Sequence, residues 1–157
     1  MLVNNAGGYS TPTYPDAENW RAPLELNLGA VMEATRSALP ALAEGGGTVV
    51  NVASSAGLGK DAYAGVEYAV AKAGVVRLTT ALGEVDGVRV NCVCPHTVAT
   101  EGVLRALETQ TLAEIAPPPA TLLEVDEVVD GVLRLIEDES LSGRVLVLTG
   151  GEGPRFL

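Results

Sequence analysis

An α/β fold, in which helices cover a parallel sheet, is the fold class that this sequence predicts. Short apolar runs alternate with longer helical segments along the 157 residues. The hydrophobic content is 47% and includes a single Phe, so the expected core is aliphatic, as in sheets with helices on their faces. Such alternation implies right-handed crossovers between parallel strands. The length fits one domain over residues 1–157.

The first half of the chain predicts two strands joined by a helix. Residues 1–5 are apolar and run into Ala-Gly-Gly, which indicates a strand followed by a loop. A helical pattern of apolar residues begins around Asp16, and Pro40 together with the glycines at 45–47 is expected to end it. Residues 48–53 are β-branched and few, which is typical of a strand.

The second half repeats this alternation. Residues 67–82 are rich in Ala and predict a helix, and residues 88–94 predict a strand that Pro95 ends. Val and Leu recur at helical spacing over 125–136, and residues 144–148 form the last apolar run. We therefore expect about four strands separated by three main helical segments, with a further short helix near residues 101–108.

The formal net charge of −10 restricts the possible partners. Residues 101–140 hold ten acidic residues and two Arg, which is the pattern of solvated helix faces. This sign argues against binding to nucleic acids or anionic membranes. It is compatible with an anionic cofactor, because helix N-termini and one Lys can bind phosphate locally.

Cysteine usage and hydropathy indicate a cytoplasmic protein. Cys92 and Cys94 share one face of a predicted strand and are expected to be small buried residues. A metal site would need more ligands, and His96 is the single histidine, so no metal is expected. No disulfide framework, secretion signal or membrane span is evident, which makes the reducing cytoplasm the expected location.

Tyr68 and Lys72 are the clearest candidates for chemistry. They lie four positions apart in a predicted helix, so both side chains project from one face. A nearby ammonium favours the ionised phenol and lowers the pKa of a Tyr from about 10 toward neutrality. Such a phenol can give a proton to a substrate oxygen or take one from it.

Ser54 and Ser55 directly follow a predicted strand, where ligands gather in parallel sheets. A hydroxyl there could bind a substrate oxygen, and the alternative is a pair of loop serines that cap local backbone. A serine hydrolase is disfavoured, since no Gly-x-Ser-x-Gly motif surrounds either serine. Gly57 and Gly59 superficially match a dinucleotide fingerprint, but no convincing helix opens directly after them, so we interpret the match as coincidental.

Taken together, the motifs resemble those of the short-chain dehydrogenase/reductase family over nearly the whole chain. Six segments occur in the family's order and at similar separations, and their Asn and Gly spacings select Ser54 rather than Ser55. The segments are Leu2 to Gly7 (Leu-Val-Asn-Asn-Ala-Gly), Asn27-Leu28, Asn51-Val52-Ala53-Ser54 with Gly57, Tyr68-x-x-x-Lys72, Arg89 to Thr100 with Pro95 and Val98, and Gly143 to Gly151. The resemblance implies the C-terminal part of a Rossmann-like, doubly wound parallel sheet.

The resemblance also implies a catalytic site for NAD(P)-dependent oxidation and reduction of an alcohol/carbonyl pair. Tyr68 would be the general acid/base, and Lys72 would lower its pKa and bind the nicotinamide ribose. Ser54 would hold the substrate oxygen, and Asn27 would support a proton-relay water beside Lys72. Residues implied in cofactor binding, besides Tyr68 and Lys72, are Asn5, Ala6, Gly7, Pro95, Val98 and Thr100.

Two departures from the family pattern qualify these expectations. His96 stands where the family usually has Gly, and this bulkier residue could crowd the nicotinamide phosphate, narrow the substrate mouth or add a titratable group. The alternative is a loop histidine of no consequence. The chain also starts where family members normally carry about three preceding strands, with the glycine-rich phosphate turn and the residue that selects NAD or NADP. We therefore expect a truncated domain, and the choice between NAD and NADP stays open.

The truncation raises an alternative of another class. A catalytically silent protein could use the same scaffold for association with a partner or with itself. Family helices like those holding Asn27 and Tyr68 commonly pack across a subunit interface, so a homodimer or homotetramer is expected. For an enzyme, the substrate would be a small alcohol or carbonyl compound, selected by the weakly patterned residues 8–15 and 96–120.

Overall fold

A computed structural model describes residues 1–8, 20–59, 64–108 and 121–157 of the chain. Within these residues, helices flank a sheet of five strands that lie side by side in chain order. The strands are β1 (Leu2–Asn4), β2 (Gly47–Val52), β3 (Val88–Pro95), β4 (Val145–Leu148) and β5 (Arg155–Phe156). The helices are α1 (Arg21–Leu24), a π-helical turn (Glu25–Gly29), α2 (Ala30–Glu44), a 3-10 turn (Ser55–Gly57), α3 (Val66–Leu82), α4 (Glu101–Glu108) and α5 (Val125–Glu137).

Strands β1 to β4 are parallel, which confirms the predicted α/β class. Val75 of α3 and Val31 of α2 pack on one face of the sheet against Cys92 and Cys94. Helix α5 covers the other face, where Leu135 packs against Val50, Val93 and Leu146 of the sheet. The sheet is therefore doubly wound, with its core divided between two helical layers.

Two elements differ from the sequence prediction. Strand β5 pairs antiparallel with β4 and was not predicted, because two residues are too few to show a strand pattern. Pro40 was expected to help end its helix, and this was wrong, since α2 continues through it to Glu44. Both Pro40 and Arg36 are exposed, so water can satisfy the Arg36 carbonyl that lacks an amide partner.

A row of buried polar side chains crosses the sheet between α2 and α3. The Asn4 amide nitrogen donates to Thr35 Oγ1 at 2.9 Å and to Asn51 Oδ1 at 2.7 Å. The Asn51 amide nitrogen donates to Thr79 Oγ1 at 2.9 Å, and Thr79 donates to the Val75 carbonyl. These contacts join two helices to β1 and β2 near the carboxyl ends of the two strands, and each buried polar group in the row has a partner.

None of the helices in the described ranges is long and apolar enough to cross a membrane.

Arg89 of β3 binds the carboxyl end of α5. Its guanidinium donates to four backbone carbonyls, of which the shortest contact is 2.7 Å to Ile136 O. The other acceptors are the carbonyls of Leu135, Asp138 and Leu141, at 3.1 to 3.2 Å. A cation at this position satisfies the unpaired carbonyls of the helix end and opposes the negative end of its dipole.

Replacing Arg89 with Met should lower the free energy of unfolding by about 2 to 4 kcal/mol, because hydrogen bonds from a charged donor to partly buried carbonyls are lost. Urea denaturation measures the effect. Arg36→Met is the matched control, since Arg36 is exposed and pairs with Glu33 on its own helix. That change should cost less than about 1 kcal/mol. Equal effects of the two substitutions would contradict this role of Arg89.

Candidate active site

Tyr68 and Lys72 lie in the first two turns of α3, as their spacing predicted. The helix begins at Val66, directly after Gly65, whose φ of +94° is a conformation that favours glycine. Lys72 Nζ lies 5.6 Å from the centroid of the Tyr68 ring. The phenol and the ammonium therefore share one face of the helix, near its N-terminus.

Lys72 is buried, with only 3% of its surface exposed. Its Nζ donates to the carbonyl of Val52, the last residue of β2, at 2.9 Å. Burial lowers the pKa of the Lys72 ammonium, because desolvation penalises its charged form, and the nearby Cys94 opposes this shift. A buried, perturbed cation at the end of a strand is a feature of functional sites.

Asn27 lies within the π-helical turn and is completely buried. Its side chain exchanges two hydrogen bonds with the backbone of Gly8: the amide donates to Gly8 O at 2.8 Å, and Gly8 N donates to Oδ1 at 3.0 Å. The same amide donates to Pro23 O at 3.0 Å. Asn27 thus holds the loop after β1, and a π-turn at this place is typical of functional positions in helices.

Gly7 is the point at which these groups converge. A Cβ added there would lie 2.8 Å from Asn27 Oδ1 and 3.4 Å from Lys72 Nζ. A side chain would therefore collide with the amide and crowd the ammonium. Because Gly7 has no side chain, the space in front of the Asn27 amide and the Lys72 ammonium stays open, which suits the close approach of a ligand.

Ser54 lies two residues beyond the end of β2 and is buried, whereas Ser55 is half-buried. Ser54 Oγ accepts a hydrogen bond from Ala56 N at 3.2 Å and so caps the 3-10 turn. This turn rests on α3 at Gly57, where an added Cβ would lie 2.5 Å from Ala73 N. Local capping, the alternative considered from the sequence, is thus one role of Ser54, and its contact with substrate stays a prediction.

The other predicted ligand-binding residues are less concentrated. Pro95 is buried at the end of β3, whereas Asn5 and Ala6 are exposed beyond β1. Val98 forms a bridge with Leu123 and packs on the α5 side of the sheet. Thr100 Oγ1 accepts from Val103 N at 3.3 Å, which caps α4.

The structure brings Gly7, Asn27 and Lys72 together beside Tyr68, and it gives Val98 and Thr100 local structural contacts. Of the predicted specificity segments, residues 9–15 and 109–120 lie outside the described residues.

Cys92 and Cys94 are both fully buried, as predicted, and their Sγ atoms lie 3.9 Å apart. The hydrogen bond with Cys92, reinforced by burial, raises the pKa of the Cys94 thiol, so it stays neutral beneath the Lys72 ammonium.

Sequence analysis did not identify the Val52 carbonyl as the acceptor for Lys72. No side-chain motif could signal it, since every residue carries a carbonyl.

Comparison with known proteins identifies many similar sequences and structures. The family model described as short chain dehydrogenase matches residues 1–111. The trans-4-hydroxycyclohexanecarboxylate dehydrogenase of Sinomonas cyclohexanicum is 35% identical over 97% of this chain and 60% of its own length. The NAD(+) 15-hydroxyprostaglandin dehydrogenase of Rattus norvegicus is 28% identical over 99% of this chain and 63% of its own length.

Solved structures show the same likeness. A 3-oxoacyl-[acyl-carrier protein] reductase from Brucella melitensis, with bound NAD, is 28% identical and superposes with a TM-score of 0.76. The match covers 95% of this chain and 60% of that structure. The chain therefore spans about three fifths of the length of the proteins it resembles.

Proposed function

This chain belongs to the short-chain dehydrogenase family, and we propose that it is an oxidoreductase that interconverts a small alcohol and its carbonyl compound with NAD or NADP. In the oxidative direction, the substrate hydroxyl loses its proton to the protein, and the hydrogen on the same carbon leaves as hydride. A nicotinamide cofactor, when bound, would supply the acceptor for this hydride, or its donor in the reverse reaction. The names of the relatives in Sinomonas and Rattus support the reaction class, since both are dehydrogenases.

The observation that carries the proposal is the convergence of Gly7, Asn27 and Lys72 beside the Tyr68 ring. Tyr68 takes the proton from the substrate hydroxyl, or returns it to the carbonyl oxygen. Lys72 stabilises the phenolate form of Tyr68 through its positive charge. Because Tyr68 lies in the first turn of α3, the positive end of the helix dipole also stabilises its phenolate form.

The residues around Gly7 also fit a cofactor ribose. The Lys72 ammonium has three protons, and in the described part of the chain it donates one of them to Val52 O. Two protons therefore remain to bind the hydroxyl groups of a ligand. The absence of a side chain at Gly7 keeps the approach to this ammonium open. The NAD named for the rat relative and bound in the Brucella structure supports a nicotinamide cofactor here, without deciding between NAD and NADP.

Calorimetric titration of the chain with NADH and NADPH tests the proposal, followed by assays of secondary alcohols with the oxidised cofactors. Saturable binding of either cofactor and formation of reduced nicotinamide are the expected results. A chain that binds neither cofactor would contradict the proposal and leave the silent, associating protein as the better reading.

Ser54→Ala should lower kcat/KM by about 10²-fold, because a donor to the developing oxyanion is lost. Stability should fall by only about 1 kcal/mol, the cost of a capping hydroxyl. Steady-state kinetics and thermal unfolding measure the two effects. Ser55→Ala is the matched control and should keep kcat/KM within about threefold of the wild type. A larger loss from Ser55→Ala than from Ser54→Ala would show that the wrong serine was chosen.

We also propose that the chain associates through the helices that hold Asn27 and Tyr68. About half of the surface is exposed for Leu26 in the π-helical turn, for Met32 in α2, and for Val66 and Val70 in α3. Apolar side chains of this size usually mark an interface when they cluster on a surface. Light scattering that gave a monomer at micromolar concentration would contradict this proposal.

A further inference from the structure

Cys94 lies in the core beside the candidate site. It is completely buried near the carboxyl end of β3, and its side chain packs with Val75 on the sheet face that α3 covers. The thiol also lies close enough to the Lys72 ammonium for their charges to interact. No step proposed for the oxidation of an alcohol uses this thiol.

The Cys94 sulfur accepts a hydrogen bond from the backbone of Ser54. Whereas the contact with Cys92 raises the pKa of the Cys94 thiol, the contact with the Ser54 backbone lowers it. A backbone group that favours a thiolate must be a donor, so this bond runs from the Ser54 N–H to Cys94 Sγ. Because the thiol is neutral, it provides the acceptor without placing a negative charge beside the Lys72 ammonium.

The bond to Cys94 ties Ser54 to β3 at a point beyond the end of β2. One residue past that end, Ala53 N still donates to Val93 O at 2.9 Å, and Ser54 follows directly. Ser54 Oγ accepts from Ala56 N at 3.2 Å, which is a contact within the 3-10 turn and its cap. The contact with Cys94 differs, because it joins the Ser54 backbone to a neighbouring strand.

We infer that Cys94 is a positioning residue whose sulfur holds the Ser54 backbone, so that the serine hydroxyl meets the oxygen of the substrate. The inference rests on the proposed function, which gives Ser54 that oxygen to bind. A displacement of about 1 Å in a catalytic site can lower the rate about 10²-fold. The Cys94 thiol therefore contributes to the rate without touching the substrate.

Cys92 offers a matched control for Cys94. Both are completely buried on one face of β3, two residues or about 7 Å apart along the strand. Cys92→Ala and Cys94→Ala each remove one sulfur atom from the same core, so urea denaturation should show similar losses of stability. Cys94→Ala also removes the acceptor for Ser54 N–H and should lower kcat/KM for a secondary alcohol about tenfold. Cys92→Ala should keep kcat/KM within about threefold of the wild type.

A double-mutant cycle tests whether Cys94 acts through Ser54. In a chain that already carries Ser54→Ala, Cys94→Ala should change kcat/KM by less than about twofold, because the hydroxyl that it positions is gone. A tenfold loss in both backgrounds would overturn the inference. Cys94→Ser keeps an acceptor and should restore kcat/KM to within about threefold of the wild type, and a variant as slow as Cys94→Ala would also overturn the inference. Cys94→Val lacks the acceptor and fills the core, so it gives the same comparisons should the alanine variant not fold.

Hydrogen exchange followed by nuclear magnetic resonance tests the bond itself without an assay of activity. The Ser54 amide should exchange at least about tenfold faster in Cys94→Ala than in Cys92→Ala, because it has lost its acceptor. The Ala53 amide, which is bound to Val93 O, should exchange alike in the two variants. Equal exchange of the Ser54 amide in both would overturn the inference. If the wild-type chain oxidised no alcohol, the proposed function would fail, and the exchange rates would still decide whether the Cys94 sulfur holds Ser54.

Discussion

Replacing Tyr68 with Phe is expected to lower kcat by at least about 10³-fold, because the phenol is the group that exchanges the substrate proton. The change keeps the ring that lies 5.6 Å from Lys72 Nζ and removes only the hydroxyl. Since the ring stays, the contact between ammonium and aromatic face should persist and hold Lys72 in place. The expected variant therefore folds, binds the cofactor and does not turn over.

Three measurements on Tyr68→Phe separate catalysis from structure. Steady-state kinetics give the loss in kcat, calorimetry gives the affinity for NADH, and thermal unfolding gives the stability. Cofactor affinity within about threefold of the wild type and a stability change below about 1 kcal/mol are the expected controls. A variant that retained more than about a tenth of the wild-type kcat would contradict the assignment of Tyr68 as the general acid/base.

Replacing Gly57 with Ala is expected to cost about 3 kcal/mol of unfolding free energy and most of the activity. The new methyl would lie 2.5 Å from Ala73 N and 2.6 Å from the Lys72 carbonyl carbon. Both are backbone atoms of α3, which cannot move aside as a flexible side chain does. The 3-10 turn must therefore separate from the helix, and Ser54, which caps this turn, moves relative to α3.

Urea denaturation and the alcohol oxidation assay measure these two effects. Gly102→Ala is the matched control, since an added Cβ there meets no atom of the described residues within 4 Å. Gly102 lies within α4, so Ala should leave stability unchanged or raise it by up to about 1 kcal/mol. If Gly57→Ala were as stable and as active as Gly102→Ala, the turn would not position the site.

Patterns local in the chain predicted much of this structure. The strand and helix types followed from periodicity, and the helix predicted over residues 67–82 spans Val66–Leu82. Placement of Tyr68 and Lys72 on one face followed from their spacing alone, because a helix fixes the geometry of positions four apart.

Features that depend on distant contacts were not predicted. The π-turn at Asn27 and the bond from Lys72 to Val52 O join segments far apart in sequence, and no local pattern encodes either. The extent of α2 past Pro40 depended on which carbonyls face water.

The row of buried polar side chains between α2 and α3 also fixes the register of β1 with β2. Strand β1 has only three residues, and Asn4 pairs with Asn51 in the ladder as well as through their side chains. A slip by one residue would turn Asn4 to the opposite face and leave Thr35 and Asn51 buried without their amide partner. The hydrogen bonds between these side chains therefore exclude the shifted pairings of β1 with β2 that three mostly apolar residues would otherwise permit. By fixing β1 along the strand direction, they also fix the position of Gly7 relative to Lys72.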